Sequence, residues 1–428
     1  MQSHRYECDV FVLGGGMAGC MAAIAASRSG ARVLLAERSG FLGGAATAGS
    51  VSQFVGWSTR AGRQVVRGLA DEVIDVLRKE SGAGDMGRFV MSTGNVMDRI
   101  EYDADLLKIV LDRMTTDAGA SVVFHSMLAA VSKEQDSVRS VHLAVPGGVM
   151  NVRAAAFVDA SGDMALLDGS GSEFLPDDDA SRQPATMMFS MAPVDFERLN
   201  GVTRDEKTAI IAQGLAAGDL ARAALHHSRV PGSDVAWFNI SRVVVDPSDP
   251  FSLSAGEMEG RRQALRISRF LRSALPGCEN ARLNQIAPML GIRDTRRMAG
   301  DHVLTVEELR QGASFTDTVA CGAYPVDIHH GDSPELTFEE FGEDHFYRIP
   351  YRSMLPAGLG NVAAAGRGIS AEREAFAALR VMPNAMAMGH AVGIAAHFAA
   401  SRHAGAFRDV SVPELQDALR RQNAFLGN

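Results

Sequence analysis

The chain has 428 residues, a net charge of −9 at pH 7 and an isoelectric point near 5.8. This length exceeds that of a typical single domain, so two domains are expected. The acidic balance argues against nucleic-acid binding as the main function. Four scattered cysteines without a C-x-x-C pair predict neither a zinc site nor a disulfide framework, which favours a cytoplasmic location. The one long apolar stretch is interrupted by a glycine turn, so no membrane span is expected.

The N-terminal segment reads as strand, glycine turn, helix and strand. Residues 9–13 form an apolar run of strand length, and residues 14–19 then form a G-x-G-x-x-G motif. Helix-forming residues follow, and a second apolar run over 31–36 ends at Glu37. An acid about 20 residues after such a motif is typical of a βαβ unit that binds a dinucleotide.

Each part of this motif has a physical role. Gly14 permits the tight turn, Gly16 lets the backbone approach a pyrophosphate, and Gly19 lets the helix pack closely on the strand. The free amides and the dipole at the helix start favour negative charge. Glu37 can accept hydrogen bonds from the ribose hydroxyls. The predicted contacts are therefore Gly14, Gly16, Met17, Ala18, Gly19 and Glu37.

The segment after Glu37 reads RSGFLGGAAT over residues 38–47. It resembles the FAD-dependent oxidoreductases of the glutathione-reductase and fumarate-reductase-like superfamily, in the branch that carries E-x-x-x-x-L-G-G-x-x-T. The resemblance implies that this segment passes the pyrophosphate and runs towards the flavin ring. The residues that it adds to the cofactor site are Arg38, Gly43, Gly44, Ala45 and Thr47.

Two later segments resemble further flavin motifs of this family. Residues 156–163, AFVDASGD, imply contacts from Ala160, Ser161 and Gly162. Residues 360–370 end an apolar run in A-G-R, which implies contacts from Gly366 and Arg367. Many relatives in the wider superfamily have Gly-Asp here, so the group that meets the ribityl hydroxyls stays open.

The backbone of Val381 and Met382 is expected at the start of a helix beside the flavin. Its amides and the positive end of the helix dipole can stabilise negative charge on the reduced ring. The sequence has no G-D-x-x-H-x-x-x-P motif at Gly366, no second G-x-G-x-x-G at the position of an NAD(P)H domain, and no C-x-x-C or similar dithiol. An aromatic hydroxylase and a pyridine-nucleotide disulfide reductase are therefore disfavoured.

The first group of catalytic candidates lies in the motif YPVDIHH over residues 324–330. Alternation along an extended segment puts Asp327 and His329 on one side, where the acid can orient the imidazole. His329 is therefore the leading acid/base candidate, although a structural histidine is the default alternative.

The second group consists of arginines and a tyrosine. The run GIRDTRRMAG over 291–300 resembles a family motif, and Arg293 is predicted to hold a substrate carboxylate with its guanidinium fork. The run YRIPYR over 347–352 adds Tyr351 as a candidate, and Arg352 as a helper of Arg293. Arginines in such motifs can instead form structural ion pairs.

Metal candidates are weak in this sequence. Three consecutive acids at 177–179 and the pair His226-His227 lack further ligands at metal-binding spacing, so no metal is expected.

The remaining pattern completes the secondary-structure prediction. Helices are expected over 68–79, 98–114, 257–275 and 387–400, and strands over 121–125, 128–131, 138–145 and 149–157. The short strands are similar to the β-meander of the family.

The predicted fold is α/β, with a Rossmann-like FAD-binding domain of the glutathione-reductase type that has a parallel sheet and a β-meander. This domain would comprise residues 1–171 and 351–428, and an α+β substrate domain would be inserted over 172–350. The expected reaction is hydride transfer between a small polar or anionic organic substrate and flavin N5 at the domain interface. Two alternatives are a non-catalytic FAD-binding subunit and an NAD-binding dehydrogenase.

FAD is expected to be non-covalently bound, because residues 41–54 contain no histidine that could link to it. The partner is a small-molecule substrate, whereas the electron acceptor and the oligomeric state are left open.

Overall fold

The computed structural model describes residues 2–90, 96–176, 182–331 and 336–427. The strands are β1 (Gln2–Glu7), β2 (Val10–Leu13), β3 (Val33–Ala36), β4 (Gln53–Val55), β5 (Gly87–Val90), β6 (Val96–Glu101), β7 (Ser121–Val123), β8 (Met127–Glu134), β9 (Ser137–Val145), β10 (Gly148–Arg153), β11 (Ala156–Asp159), β12 (Phe189–Ala192), β13 (His226–Arg229), β14 (Ala236–Asn239), β15 (Arg282–Ile286), β16 (Thr318–Gly322), β17 (Val326–His329), β18 (Leu336–Glu339), β19 (Tyr347–Pro350) and β20 (Val362–Ala364). The helices are α1 (Met17–Arg28), α2 (Leu69–Lys79), α3 (Ala104–Asp117), α4 (Ala165–Gly169), α5 (Phe196–Gly201), α6 (Arg204–Ala216), α7 (Pro250–Ala274), α8 (Val306–Gln311), α9 (Arg373–Leu379), α10 (Met382–Arg402) and α11 (Val412–Arg421).

A five-stranded parallel sheet forms the centre of the protein, in the order β20-β11-β2-β3-β7. Its short apolar strands are buried, as is usual for a parallel sheet covered on both faces. Successive side chains of β2 point to opposite faces: Val10 and Val12 pack in the core with α1 and α10, while Phe11 and Leu13 pack on the other side.

The second face is covered by a sheet of order β1-β10-β9-β8. Strands β8, β9 and β10 form an antiparallel meander, and β1 joins it in parallel. Phe11 and Phe157 of the central sheet pack against Val141, Leu143 and Val152 of this sheet. The parallel sheet and its meander confirm the predicted α/β fold of Rossmann-like type.

Helices α1 and α10 approach each other closely because small residues line their contact. A Cβ on Gly389 would lie 2.1 Å from the carbonyl oxygen of Ala18, and one on Gly393 would lie 2.4 Å from that of Ala22. Backbone therefore packs on backbone here, which fixes both helix starts beside the carboxyl ends of the parallel strands.

The central part of the chain adds a four-stranded antiparallel sheet of order β13-β14-β12-β15. Its core joins strand residues such as Phe189 and Phe238 to Ile267 and Leu271 of α7. Three smaller units complete the fold: the sheet β4-β6-β5, the hairpin β17-β18 and the pair β16-β19. The last two units carry or border the predicted catalytic segments over 324–330 and 347–352.

Several predicted elements are wrong in their extent. Residues 98–101 belong to β6 because they pair with β4 and β5, and the helix begins only after Asp103, which caps it through the amides of Asp105 and Leu106. The predicted strand over 149–157 is two strands, β10 and β11, that enter different sheets. Helices α7 and α10 begin earlier than predicted, and α11 follows α10.

Two predictions about composition can be placed on the structure. Within the described ranges, no helix is long and apolar enough to cross a membrane. The same part of the chain holds no group of three or more His, Cys, Asp or Glu side chains that could bind a metal ion. The acidic run over 177–179 lies outside the described residues.

Candidate active site

The glycine turn after β2 contains two glycines that the packing of the fold requires, and a third that borders open space. Gly14 has a φ of +96°, and a Cβ on it would lie 2.5 Å from the carbonyl oxygen of Ala160. A Cβ on Gly19 would lie 1.8 Å from the carbonyl oxygen of Gly14. A Cβ on Gly16 would meet only the Cα of Gly44, at 4.0 Å. The protein therefore does not fill the space beside Gly16, which fits the close approach of a pyrophosphate.

The start of α1 faces the same space. Gly16 is its N-cap and, having no side chain, does not cap the first amides, which include those of Met17 and Ala18. Uncapped amides at a helix start are suited to an anion.

Glu37 is buried at the end of β3, where it joins the two loops of the site. Its Oε2 accepts a hydrogen bond from the Gly15 amide at 2.6 Å, and its Oε1 accepts one from the Ser39 amide at 2.7 Å. A carboxylate has about four lone-pair sites, so each oxygen can accept a further hydrogen bond. The residue can therefore position the loop and still bind ribose hydroxyls.

The loop after β3 lies directly on the glycine turn. The Gly43 amide donates to the Gly15 carbonyl at 2.7 Å, and a Cβ on Gly44 would lie 2.8 Å from the Gly16 Cα. Thr47 is buried, and its hydroxyl donates to the Leu42 carbonyl at 2.6 Å, so this side chain closes the loop.

Asp159, at the end of β11, organises the second flavin motif. Its carboxylate accepts hydrogen bonds from the amide and hydroxyl of Ser161 at 3.0 and 2.6 Å, and from the amides of Leu166 and Leu167. Burial raises the pKa of this carboxyl group, and these hydrogen bonds oppose the rise. Sequence reasoning placed Asp159 in the motif but gave it no role. It holds Ala160 to Gly162 in place next to Gly14.

Arg367 and Arg38 meet at Asp163. Arg367 forms a salt bridge with Asp163, and the Arg38 Nη1 lies 3.8 Å from the other carboxylate oxygen. The three side chains join the loop after β3, the loop after β11 and the turn after β20 that contains Gly366. The structure thus brings all three predicted flavin motifs together.

An inner cavity of about 190 Å³ lies where these motifs meet the hairpin β17-β18 and the antiparallel sheet. Four of its lining residues come from the predicted flavin site and three from the predicted catalytic set. Sequence reasoning did not assign four further titratable residues in its wall to the site. The residues of the predicted flavin site are Ala45, Arg367, Val381 and Met382, and those of the predicted catalytic set are Arg293, Asp327 and His329. The four unassigned residues are Arg222, His226, Tyr324 and Arg380.

Asp327 is the centre of the polar network in the inner cavity. Its Oδ2 lies 3.4 Å from His329 Nε2, accepts a hydrogen bond from the Tyr324 hydroxyl at 2.9 Å, and lies 3.2 Å from Arg380 Nη2. Its Oδ1 has no hydrogen-bond partner among the described residues. The geometric prediction that Asp327 and His329 meet is confirmed.

The network fixes the charge state of both residues. Burial raises the pKa of Asp327, but His329, Arg380 and the Tyr324 hydroxyl outweigh it, so the pKa lies below its usual range. Burial lowers the pKa of His329 well below its usual value. Asp327 raises this pKa, but Arg222 and Arg293 lower it further, so the net shift is downward. The site thus holds an ionised Asp327 beside a neutral His329.

Arg293 and Arg222 carry positive charge without a carboxylate partner among the described residues. Arg293 donates to the Pro184 carbonyl at 2.7 Å and lies 3.5 Å from the Asn239 side-chain oxygen, which also lies 3.4 Å from Arg222. Neither guanidinium forms a salt bridge within the described part of the chain. Burial, together with Arg222 and Arg380, lowers the pKa of Arg293 to about 9.

Two predicted catalytic residues do not line the inner cavity. Arg352 is 49% exposed and binds Asp317 at 2.9 Å, with the Arg352 amide on the same carboxylate at 3.0 Å. Tyr351 is buried, and its hydroxyl donates to the Phe407 carbonyl at 3.0 Å. The motif over 347–352 therefore places both residues in contacts within the fold, away from His329.

A family model described as FAD dependent oxidoreductase matches residues 9–419. The chain belongs to this family. The cofactor is therefore FAD and the protein is an oxidoreductase, which sets aside the NAD-binding alternative. No protein of curated function matched the sequence.

Two solved structures are similar to this chain over nearly its whole length. A geranylgeranyl bacteriochlorophyll reductase-like protein from Thermoplasma acidophilum has a TM-score of 0.50 and 14% identity, over 99% of this chain and 85% of its own. The p-nitrophenol 4-monooxygenase PnpA from Pseudomonas putida DLL-E4 has a TM-score of 0.49 and 13% identity, over 99% and 86%. At these identities the first match supports the fold alone.

Sequence reasoning found the parts of the site that lie in contiguous motifs. Tyr324 opens the segment 324–330 and Arg380 directly precedes Val381, so both lie beside residues that the sequence did predict, and their positions offered a signal. Arg222 precedes β13 in a segment without any motif, and only the folded chain places it beside Arg293.

Proposed function

We propose that this FAD-dependent oxidoreductase transfers a hydride between a small anionic organic substrate and the flavin in the inner cavity. The observation that carries the proposal is a charge imbalance. Arg222, Arg293 and Arg380 face a single carboxylate, Asp327. An uncompensated buried cation is costly, so a bound anion would stabilise this arrangement.

The cofactor site is proposed from the motif residues. The open space at Gly16, the uncapped start of α1 and Glu37 would hold the ADP part, and the loops at 43–47, 160–162 and 366–367 would hold the rest. The amide of Met382, at the uncapped start of α10, would face the flavin ring. Bound FAD supplies two-electron chemistry through its N5.

The substrate would be held by the arginines that lack an acidic partner. A carboxylate on Arg293 and Arg222 would make charge-assisted hydrogen bonds in place of the weak contacts to Asn239. The unpaired Oδ1 of Asp327 can accept a hydrogen bond from a hydroxyl or amino group of the same molecule. Organic acids that carry such a donor are therefore the preferred substrates.

His329 is proposed as the acid/base group, and its neighbours as positioning residues. Arg380 and Tyr324 hold Asp327, and Asp327 holds the His329 ring at 3.4 Å. The neutral ring can accept a proton, and an anion beside it makes the protonated form more favourable.

We also propose the domain limits and the state of the cofactor. The FAD-binding domain would comprise 1–171 and 351–428 and the substrate domain 172–350, since residues from both parts line the inner cavity. FAD would be non-covalent: residues 41–54 lack histidine, and burial raises the pKa of the Cys321 thiol to about 12, which disfavours attack by this sulfur. Four free, buried cysteines support a cytoplasmic location.

The test is an anaerobic screen of small organic acids and of their neutral amides or esters for bleaching of the flavin. We expect acids with a hydroxyl or amino group to reduce the protein and their neutral analogues to fail. Arg293→Lys keeps the charge but loses the fork, so it should raise KM for the acid with FAD still bound. Arg352→Lys is the control, with unchanged KM. Equal reduction by acids and neutral analogues would refute the anionic substrate.

A further inference from the structure

A second, outer cavity of about 540 Å³ lies next to the inner cavity. Its walls come mainly from β5, β6, α6, β13 and the segment that leads into β13. The basic and histidine side chains in them are Arg99, Arg204, Lys207, His226 and His227, and none of the described lining residues is acidic.

The two cavities share part of their walls. Gln53, Phe89 and His226 line both of them, so these three side chains stand at the junction. Val381 and Met382, where the flavin is proposed to bind, line the inner cavity and not the outer one. Bound FAD would fill the space beside them, and the junction would connect the remaining space with the outer cavity.

The cations of the outer cavity differ in how far they are neutralised. Arg99 is engaged: it binds Glu101 at 2.9 Å, donates to the His227 carbonyl at 3.0 Å and lies 4.7 Å from the centroid of the Phe89 ring. Arg204 and Lys207, at the start of α6, form no salt bridge in the ranges that the structure describes. They leave a positive wall that can attract an anion from solvent.

We propose that the outer cavity is the entrance and first docking site for the anionic substrate, and that Arg204 and Lys207 draw it towards the inner cavity. This inference rests on the proposed function of the inner cavity. Positively charged walls along the approach raise the association rate of an anion by about 10-fold or more at low ionic strength. They contribute less to its final affinity, because they do not touch the bound anion.

The test follows the binding of sulfate to the FAD-loaded protein by stopped-flow measurement of the flavin absorbance at low ionic strength. The variant Arg204→Glu/Lys207→Glu should lower the association rate constant about 10-fold, with a smaller change in the dissociation constant. Both sites lie at a helix start, where carboxylates are favourable, so the variant should fold. The control Arg269→Glu/Arg272→Glu makes the same charge change on exposed positions of α7 and should leave the rate unchanged.

A steric variant makes the test independent of charge. Ala223 is exposed and lines only the outer of the two cavities, so Ala223→Trp narrows the approach without touching the inner residues. It should slow association and dissociation together and leave the equilibrium affinity for sulfate unchanged. Rates equal to wild type in both variants would overturn the entrance. If sulfate does not perturb the wild-type flavin at all, the anion site itself is refuted and the entrance with it.

Discussion

Replacing Gly16 by alanine separates the demands of the fold from those of the cofactor. The residue has φ −67° and ψ 178°, a conformation that alanine adopts freely. Among the described residues, the atom nearest to its new Cβ would be the Gly44 Cα at 4.0 Å. The apoprotein should therefore accept the change, while the added methyl group would occupy the space proposed for the pyrophosphate.

Two energy terms determine how Gly16→Ala changes the stability of the apoprotein, and a third determines how it changes FAD binding. Replacing glycine by alanine at an N-cap lowers the free energy of unfolding by about 0.5–1 kcal/mol. Alanine also restricts the unfolded chain, which raises the free energy of unfolding by about 0.4–1 kcal/mol. The two terms offset each other, so the unfolding free energy of the apoprotein should change by less than about 1 kcal/mol. Crowding at a packed contact costs about 1–3 kcal/mol, which raises the FAD dissociation constant about 5- to 150-fold.

The assay combines urea unfolding of the apoprotein with FAD titration followed by quenching of flavin fluorescence. Gly19→Ala is the comparison, since its Cβ would lie 1.8 Å from the Gly14 carbonyl oxygen and should destabilise the apoprotein itself. If Gly16→Ala binds FAD as tightly as wild type, the pyrophosphate does not pass this backbone and the proposed cofactor site is wrong.

Three further predictions follow from the same geometry. Asp159→Asn leaves one acceptor oxygen for four donors and should lower the unfolding free energy of the apoprotein by about 1–3 kcal/mol, and an unchanged urea midpoint would contradict this role. An anion near His329 offsets the arginines that lower its pKa, so the complex binds more protons than the free protein. Sulfate affinity should therefore rise as pH falls from about 7 to 5. The variant His329→Gln should flatten this rise. A flat pH profile in the wild-type protein would contradict the coupling of anion binding to protonation of His329. FAD should be released intact by acid precipitation, whereas flavin fluorescence in the pellet would reveal a covalent bond.

The cofactor site was predictable because each of its parts is local in sequence. The strand, turn and helix around Gly14 and Gly19 form one continuous segment, and the backbone geometry demands those glycines wherever the segment packs. What the sequence could not provide is the contact between Gly16 and Gly44, which joins two loops separated by a helix and a strand. Asp159 likewise gains its role only when the turn folds back onto it.

The catalytic set was predictable only in part, for a related reason. Asp327 and His329 are two residues apart, so strand alternation alone brings them together. Arg352 was grouped with Arg293 because both stand in family-like motifs, but pairing of β19 with β16 carries Arg352 to Asp317. Arg222 replaces it beside Arg293 through a long-range approach that no local pattern encodes.

The same charges that would bind the substrate also govern the proton of His329. Without a bound anion, Arg222 and Arg293 help to keep this ring neutral, and burial together with Arg222 and Arg380 lowers the pKa of Arg293. One anion relieves both effects at once, since it compensates the guanidinium charge and favours a protonated ring. On the proposed function, binding and acid formation are thus coupled by a single electrostatic change. A neutral analogue of equal shape would lack the attraction of the arginines and would also leave His329 without its proton.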